Sequence, residues 1–220
     1  MASDRFDRIS RGSLSLCAIV VTALLVRREF FPRQSARTEP PVLVATWPTL
    51  AQGRNHLGDA AAEGKIVVFS DFECPFCGQF ARSMDSVLER DPKAARVYFK
   101  NFPLISIHQA AMGAAVAAEC AASQGVFEAM HDFIFAHQDS IRSLNWEHVA
   151  RRLGVRDTSA YASCLSDDAT ERRIREDSAN AKGIGLTGTP TVIVNGWKLP
   201  GTPSAAEIRV ALRKQFPRAK

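Results

Sequence analysis

The sequence predicts an α/β fold in which a β-α-β unit is followed by an insertion of several helices and then by a β-β-α unit. Three observations support this order. A β-branched and aromatic run at residues 65–72 leads straight into a helical pattern, and residues 96–100 alternate like a second strand. Between about residues 107 and 185 every periodic pattern is helical. Near the end, Asn195-Gly196 separates two short apolar segments, which is a strong hairpin signal.

The elements of the first half follow from composition and from proline positions. Residues 42–45 form a candidate edge strand, and residues 65–72 have the composition of a buried strand. Pro75 stands where the first turn of a helix tolerates proline, and apolar side chains then recur at helical spacing as far as Asp91-Pro92. If the strand at residues 96–100 pairs in parallel with the first strand, the three elements form a right-handed β-α-β unit.

The helical insertion is expected over about residues 104–186. Its first helical pattern covers residues 108–123, and the second has Phe127, Met130, Ile134 and Phe135 as its apolar face. Further helical patterns cover residues 146–153 and 161–182. After it, residues 191–199 predict a hairpin. The capping box Ser204-Ala205-Ala206-Glu207 then opens a last helix that is expected to continue to Phe216.

An apolar segment at residues 14–26 carries arginines on both sides. Its 13 residues fall short of the roughly 20 that span a bilayer and match the apolar part of a signal peptide. No small-x-small cleavage site follows, and Arg27-Arg28 leads directly to the aromatic pair Phe30-Phe31. We therefore expect an uncleaved signal-anchor and linker at residues 1–40, with a cleaved signal peptide or a buried segment as alternatives, and one domain at residues 41–220.

The distribution of charge argues against a nucleic-acid-binding protein. Residues 1–40 hold seven arginines and four acidic residues, whereas residues 41–220 hold 21 basic and 19 acidic residues. The domain is thus nearly neutral, and it has no basic stripe of the kind that binds phosphate backbones. We expect the basic excess to serve the membrane segment instead.

Cys74 and Cys77 stand where the first long strand meets the first long helix. The thiolate is the nucleophile in disulfide exchange, and the start of a helix lowers the pKa of a thiol. Cys74 is therefore expected to attack, and Cys77, one turn into the helix, to resolve the mixed disulfide. The alternative is half of a zinc site, but no second Cys-x-x-Cys or tight Cys/His pair accompanies the motif, so we expect no metal.

Pro190 opens the strand that follows the insertion. A cis peptide bond there leaves the backbone of Thr189 free to pair with an extended substrate, whereas the alternative is an ordinary trans proline at a sheet edge. Phe72, Phe76 and Phe102 are candidates either for an apolar surface around the cysteines that receives unfolded substrate, or for the core.

Two segments together resemble the DsbA-like thioredoxin-fold family of thiol:disulfide oxidoreductases. They are Phe-Ser-Asp-Phe-Glu-Cys-Pro-Phe-Cys at residues 69–77 and Gly-Thr-Pro-Thr-Val-Ile-Val-Asn-Gly at residues 188–196. The resemblance covers about residues 60–216, including the placement of the helical insertion. It implies a periplasmic or extracytoplasmic enzyme that oxidises, or less often reduces or isomerises, cysteines in exported proteins. In that setting Pro190 is expected to be cis, and the reaction needs no cofactor beyond the two cysteines.

The chain departs from that family at two positions. Many members carry a buried glutamate six residues before the nucleophile, where this chain has Val68, and the strongest oxidants have a histidine where it has Phe76. Proton transfer at the resolving cysteine must then use water or another acid; Asp71 and Glu73 are close in sequence but are expected to face solvent. We expect the pKa of Cys74 to be lowered less than in strong oxidants, staying above about 4, and a less extreme redox potential.

Cys120 and Cys164 lie 44 positions apart in the insertion. Similar pairs in some relatives form a second, structural disulfide, and closing so long a loop is stabilising. The alternative is two small buried side chains that never meet.

We therefore expect a monomeric oxidase held at the cytoplasmic membrane by residues 14–26. Its expected partners are cysteine-containing exported proteins and an upstream redox protein, with a membrane-bound one among the candidates. The first alternative is a reductase or isomerase of the same fold, although isomerases usually carry a dimerisation domain for which the first 60 residues or so leave no space. The second is a non-catalytic, peptide-binding assembly factor.

Overall fold

The computed structural model describes residues 40–213 of the 220-residue chain. In chain order its elements are β1 Val42–Leu43, α1 Trp47–Leu50, β2 His56–Gly58, β3 Lys65–Ser70, α2 Pro75–Arg90, β4 Arg96–Asn101, α3 Ala111–Ala122, α4 Phe127–Ala136, a 3₁₀ helix Gln138–Ser143, α5 Trp146–Arg152, α6 Thr158–Leu165, α7 Asp168–Gly183, β5 Thr191–Val194, β6 Trp197–Leu199 and α8 Ala205–Arg213.

The six strands form one mixed sheet in the order β1-β6-β5-β3-β4-β2. β3 and β4 are parallel, with Val68 opposite Phe99, and α2 connects them, which gives the predicted β-α-β unit. All the other pairings are antiparallel. Between β5 and β6, Asn195 and Gly196 have φ angles of 48° and 92°, the two positive values that a tight hairpin turn requires. The predicted α/β order is confirmed.

Strand β3 lies at the centre of the sheet and is buried on both faces. Ile66 and Val68 belong to the core that includes α2, α8 and much of the helical insertion. Val67 and Phe69 belong to a second core on the other face, with Leu50, Phe102, Ala181, Leu186 and Ile193. Because successive side chains of a strand project to opposite faces, burial of both faces explains why this run is continuously apolar.

The alanine-rich helix α3 is the centre of the insertion, and α4, α6 and α7 all pack against it. Most of its side chains are buried, and their small size lets the neighbouring helices approach closely. Cys120 of α3 is joined to Cys164 of α6 by a disulfide with an S–S distance of 2.02 Å.

Some expected boundaries are wrong, and two short elements were not expected. β3 ends two residues early because the carbonyl of Asp71 already accepts a hydrogen bond from the amide of Cys74, at 3.2 Å, in the turn to α2. α3 begins at Ala111 rather than residue 108. The helical pattern at residues 161–182 belongs to two helices, α6 and α7, and Asp167 caps the start of α7. The unexpected elements are α1 and β2, which have four and three residues.

The apolar segment at residues 14–26 and Cys17 lie outside the described residues, as does the expected continuation of the last helix to Phe216. Within residues 40–213, no helix combines the length and the apolar character that a bilayer crossing requires.

Candidate active site

Cys74 is the N-cap residue of α2, with an extended backbone, and Pro75 is the first helical residue. The carbonyl of Cys74 accepts hydrogen bonds from the amides of Cys77, at 3.0 Å, and Gly78, at 3.2 Å, so the helix starts at this cysteine. The two thiols are free, and they differ in exposure: Cys74 is 5% exposed and Cys77 is 0% exposed. Helix geometry thus places one sulfur at the rim of the site and the other beneath it.

The surroundings of Cys74 favour its thiolate. The Cys77 thiol, which acts as a hydrogen-bond donor to the Cys74 sulfur, is the largest cause that lowers the pKa of Cys74, to about 5. Burial opposes this shift, while contacts with Thr189 and with the backbone amides of Cys77 and Phe76 add to it. These amides belong to the first turn of α2, where N–H groups lack helical acceptors. A pKa of about 5 is well below that of a free thiol.

The surroundings of Cys77 have the opposite effect. Burial raises the pKa of the Cys77 thiol well above its ordinary value, and the adjoining Cys74 sulfur raises it further. The backbone amide of Asp71 donates a weak hydrogen bond to the Cys77 sulfur, at 3.4 Å, and partly offsets the shift, as does Ser70. At neutral pH the pair therefore holds a thiolate at Cys74 and a thiol at Cys77.

Thr189-Pro190, immediately before strand β5, lies against Cys74. The peptide bond between these two residues is cis. The sulfur of Cys74 lies 3.5 Å from the carbonyl oxygen of Thr189 and donates to it when protonated. This contact joins sites that are 115 positions apart in the chain, and it brings together the two motifs that the sequence singled out.

The three candidate phenylalanines separate into two groups. Phe76, between the two cysteines, is 60% exposed. Phe72 and Phe102 are buried, at 1% and 4% exposure, so their alternative assignment to the core is the correct one. Phe72 stacks on Phe99 at 4.8 Å, and this packing fixes the residue that enters the active-site turn.

The expectation that Asp71 and Glu73 face solvent is wrong. Asp71 is 1% exposed, and its carboxylate accepts hydrogen bonds from the amides of Glu73, at 2.8 Å, and Leu104, at 2.7 Å. His108 contacts the same carboxylate through Nδ1, at 2.8 Å. These partners lie 33 and 37 positions away, in the segment between β4 and α3. Asp71 therefore ties that segment to the active-site turn.

Glu73 makes a second tie between the turn and the insertion. Its carboxylate accepts hydrogen bonds from Arg142, at 2.8 Å, and from the amide of Ala110, at 2.7 Å. Burial alone raises the pKa of Glu73, but these two donors outweigh burial, so its pKa is lowered. Glu73 is therefore an anionic structural group and a poor proton donor at neutral pH.

Val68 packs in the core beneath Cys77. A small cavity there, with room for about one water molecule, is lined by Val68, Ser70, Cys77, Phe99 and His131, among others. Among residues 40–213, no group of three or more His, Cys, Asp or Glu side chains has the arrangement of a metal site.

Gln138 is a site residue that the sequence did not reveal. Its side-chain amide donates hydrogen bonds to the carbonyls of Phe72, at 2.8 Å, and Cys74, at 3.0 Å. These partners are 66 and 64 positions away, and a single polar residue between two helices carries no local signal of such a contact.

Comparison with known proteins agrees with this geometry. A family model described as Thioredoxin matches residues 51–214, about three quarters of the chain. The chain belongs to the thioredoxin family. Within this family, a thioredoxin-like oxidoreductase from Silicibacter pomeroyi has a similar structure, with 24% sequence identity and a TM-score of 0.61, over 74% of this chain and 94% of that one. DsbA2 from Pseudomonas aeruginosa is also 24% identical, with a TM-score of 0.58, over 73% and 93%. The expected thioredoxin fold of the DsbA-like type is thus confirmed.

Relatives with higher sequence identity carry a different name. The Na(+)/H(+) antiporter NhaA 3 of Salinispora tropica is 35% identical over 168 residues, which are 76% of this chain and 26% of that protein. NhaA 1 of Salinispora arenicola is 35% identical over 164 residues, which are 74% and 25%. The chain spans about a quarter of the length of these curated relatives, so we do not attribute the antiport in their name to it.

Proposed function

We propose that the protein is a thiol:disulfide oxidase that introduces disulfides into exported proteins, with Cys74 as nucleophile and Cys77 as resolving cysteine. The observation that carries this proposal is the contrast between the two sulfurs: the pKa of Cys74 is lowered to about 5, and that of Cys77 is raised. A stabilised thiolate stabilises the reduced form of the pair, and a pair with a stable reduced form readily passes its disulfide to a substrate.

The proposed reaction begins from the Cys74–Cys77 disulfide. A substrate thiolate attacks the sulfur of Cys74, the bond to Cys77 breaks, and the Cys77 thiolate takes up a proton. The second substrate thiolate then attacks the substrate sulfur of this mixed disulfide and releases Cys74 as a thiolate. The substrate loses two electrons and the enzyme gains them. A mixed disulfide that lacks a second substrate thiol is released by Cys77 instead.

The substrate surface is proposed to surround Cys74. The exposed apolar residues Phe76, Ile105 and Ile107 are 60%, 51% and 67% exposed. Phe76 lies between the cysteines, and the two isoleucines lie in the segment that hydrogen bonds attach to Asp71 and Glu73. Exposed apolar side chains on the turn and on the segment bonded to it suit an unfolded polypeptide, which offers apolar side chains of its own. The backbone of Thr189 is placed to pair with that polypeptide beside its cysteine.

The proposed setting is extracytoplasmic, because a disulfide made in the cytosol does not persist. We propose that residues 14–26 tether the domain at residues 41–220 to the cytoplasmic membrane. An upstream redox protein is then needed to remove two electrons from the reduced pair after each turnover. The reaction uses no cofactor beyond the two cysteines, and we propose that a monomer suffices.

Equilibration of the Cys74–Cys77 pair with glutathione tests the direction. For an oxidase we expect a potential clearly above that of thioredoxin, between about −200 and −120 mV. The oxidised protein should also convert a reduced two-cysteine peptide to its disulfide stoichiometrically. A potential near −270 mV, combined with insulin reduction and no peptide oxidation, would make the protein a reductase.

The variant Cys74→Ala separates catalysis from binding. For the proposed enzyme it should abolish both peptide oxidation and insulin reduction. If the variant keeps its full effect on the folding of a cysteine-containing substrate, the protein is an assembly factor that binds peptides without thiol chemistry.

A further inference from the structure

The turn that carries Cys74 is held at its backbone by one side chain of the helical insertion. The amide nitrogen of Gln138, at the start of the 3₁₀ helix, donates to the carbonyls of Phe72, at 2.8 Å, and Cys74, at 3.0 Å. The Phe72 carbonyl belongs to the peptide bond before Glu73, and the Cys74 carbonyl belongs to the peptide bond after Cys74. One side chain thus fixes the orientation of the backbone on both sides of the proposed nucleophile.

Gly78 provides the space in which the Gln138 side chain lies. A Cβ atom added at Gly78 would overlap the Oε1 atom of Gln138 and lie only 3.0 Å from its amide carbon. Gly78 is helical and buried, so no turn requires a glycine here. Glycine in a helix interior is less favourable than alanine by roughly 0.5–1 kcal/mol. The close approach of Gln138 is the structural reason for a glycine at this position.

We infer that Gln138 is a positioning residue for the Cys74 thiolate, and that Gly78 acts only by admitting its side chain. The inference rests on the proposed role of Cys74 as nucleophile. The carbonyl of Cys74 accepts the amides of Cys77, at 3.0 Å, and Gly78, at 3.2 Å, in addition to Gln138. This arrangement keeps the Cys74 sulfur beside the first-turn amides and the side chain of Thr189, the contacts that stabilise its thiolate.

The role of Gln138 differs from that of its neighbour on the 3₁₀ helix, Arg142. Arg142 contacts the side chain of Glu73, and its own side chain is 62% exposed. The Glu73 side chain is only 13% exposed, so Arg142 acts on the turn through the charge of that carboxylate. Gln138 is half-buried and contacts only backbone carbonyls of the turn, so its loss leaves the charges of the site unchanged.

The test compares Gln138→Ala, Gly78→Ala and the double variant by the pKa of Cys74. The reduced protein is titrated, and the thiolate is followed by its ultraviolet absorbance and by the rate of alkylation. We expect each single variant to raise the pKa of Cys74 by about half a unit or more. At a pH below the pKa, this shift lowers the fraction of Cys74 that is present as thiolate by about threefold. We expect the pKa of Cys74 in the double variant to match that in the single variants. Once Gln138 is replaced by alanine, the new methyl group at position 78 has no long side chain to displace.

Ser140→Ala is the matched control, since Ser140 is an exposed residue of the same 3₁₀ helix whose side chain bonds only to the carbonyl of His137. It should leave the pKa of Cys74 unchanged. The inference is overturned if Gln138→Ala changes the melting temperature but not the pKa of Cys74, or if the two substitutions raise the pKa additively. If the variants show the shared pKa shift but the wild-type protein does not oxidise a reduced two-cysteine peptide, the proposed function fails and the positioning role stands.

Discussion

The described residues contain two cysteine pairs that have opposite environments. Cys74 and Cys77 are free, lie three positions apart at the start of α2, and differ from each other in exposure and in the direction of their pKa shifts. Cys120 and Cys164 are bonded to each other, lie 44 positions apart, and join two helices of the insertion. Both pairs sit in a largely apolar interior, so burial alone does not distinguish them.

The difference between the pairs lies in the hydrogen-bond donors around the sulfurs. At Cys74, the Cys77 thiol and the amides of the first helical turn all favour a negative charge. Cys120 lies within α3, where the backbone donors are already used by the helix. The first environment creates a reactive thiolate. In the second, the two sulfurs are bonded to each other, and Cys164 has one further contact, with the Thr170 hydroxyl at 3.4 Å. The four predictions below test this contrast, from the largest expected effect to the smallest.

Substitutions in the free pair should have the largest effect on activity. We expect Cys74→Ser to lower the rate of dithiol oxidation by about a thousandfold or more, since the other free cysteine of residues 40–213, Cys77, is fully buried. Cys77→Ser should instead accumulate a mixed disulfide at Cys74 when the single substrate cysteine is supplied as its disulfide with glutathione. The Cys74 thiolate then attacks the substrate sulfur and glutathione leaves as a thiolate, while the internal release route through Cys77 is lost. Non-reducing electrophoresis with a one-cysteine substrate measures this product. Equal activity of both variants and the wild type would contradict the assigned roles.

Substitutions in the bonded pair should affect stability instead. Breaking a disulfide that closes a loop of 44 positions costs about 4 kcal/mol in the chain-entropy account. We expect Cys120→Ser/Cys164→Ser to lower the free energy of unfolding by about that amount, measured with urea. Activity per folded molecule should stay within about twofold of wild type. A large loss of activity with unchanged stability would mean that this pair takes part in electron transfer.

The pH dependence of the reduced protein should follow Cys74. Its alkylation rate should be half-maximal near the pKa of about 5 and fall about tenfold for each pH unit below it. Because the folded pKa lies below the unfolded value near 8.5, the thiolate's contribution to stability is complete above about pH 8.5 and is lost as the pH falls through about 5. The difference in unfolding free energy between the reduced wild type and reduced Cys74→Ser should therefore grow between these values. A pH-independent difference would contradict the assigned pKa.

The smallest effect is expected at the apolar surface. Ile107→Ser removes an exposed side chain and should raise KM for an unfolded substrate by about threefold while leaving exchange with glutathione unchanged. Val210→Ser, at an exposed apolar residue on α8, is the matched control. If both substitutions have the same effect, the surface near Cys74 has no special role in substrate binding.

Much of this fold was predictable because its signals are local. The start of α2 is marked by Pro75, and the β5-β6 hairpin is marked by Asn195-Gly196; both elements occur where the sequence places them. β2 was missed because its three residues pair with β4 as a short antiparallel strand, and so short a segment has no readable periodicity.

The parts of the site that were not predicted depend on contacts between distant residues. The burial of Asp71 results from partners 33 and 37 positions away, and Gln138 reaches carbonyls 66 and 64 positions away. Composition and spacing describe what a residue can do but not which distant backbone atoms it meets. The sequence therefore predicted that the Cys-x-x-Cys motif lies at the start of a helix and that Pro190 is cis, whereas the groups that hold the cysteines in place required the three-dimensional structure.

The burial of Cys77 also affects how the pair withstands peroxide. Peroxide oxidises exposed thiolates first to sulfenic acid and then irreversibly to sulfinic and sulfonic acids. Cys74 is the thiolate at the rim, whereas Cys77, at 0% exposure, is beyond reach of the reagent. A sulfenic acid formed at Cys74 has the Cys77 thiol one helical turn away, with which it condenses to the disulfide and releases water. The first step of oxidative damage therefore regenerates the oxidised pair.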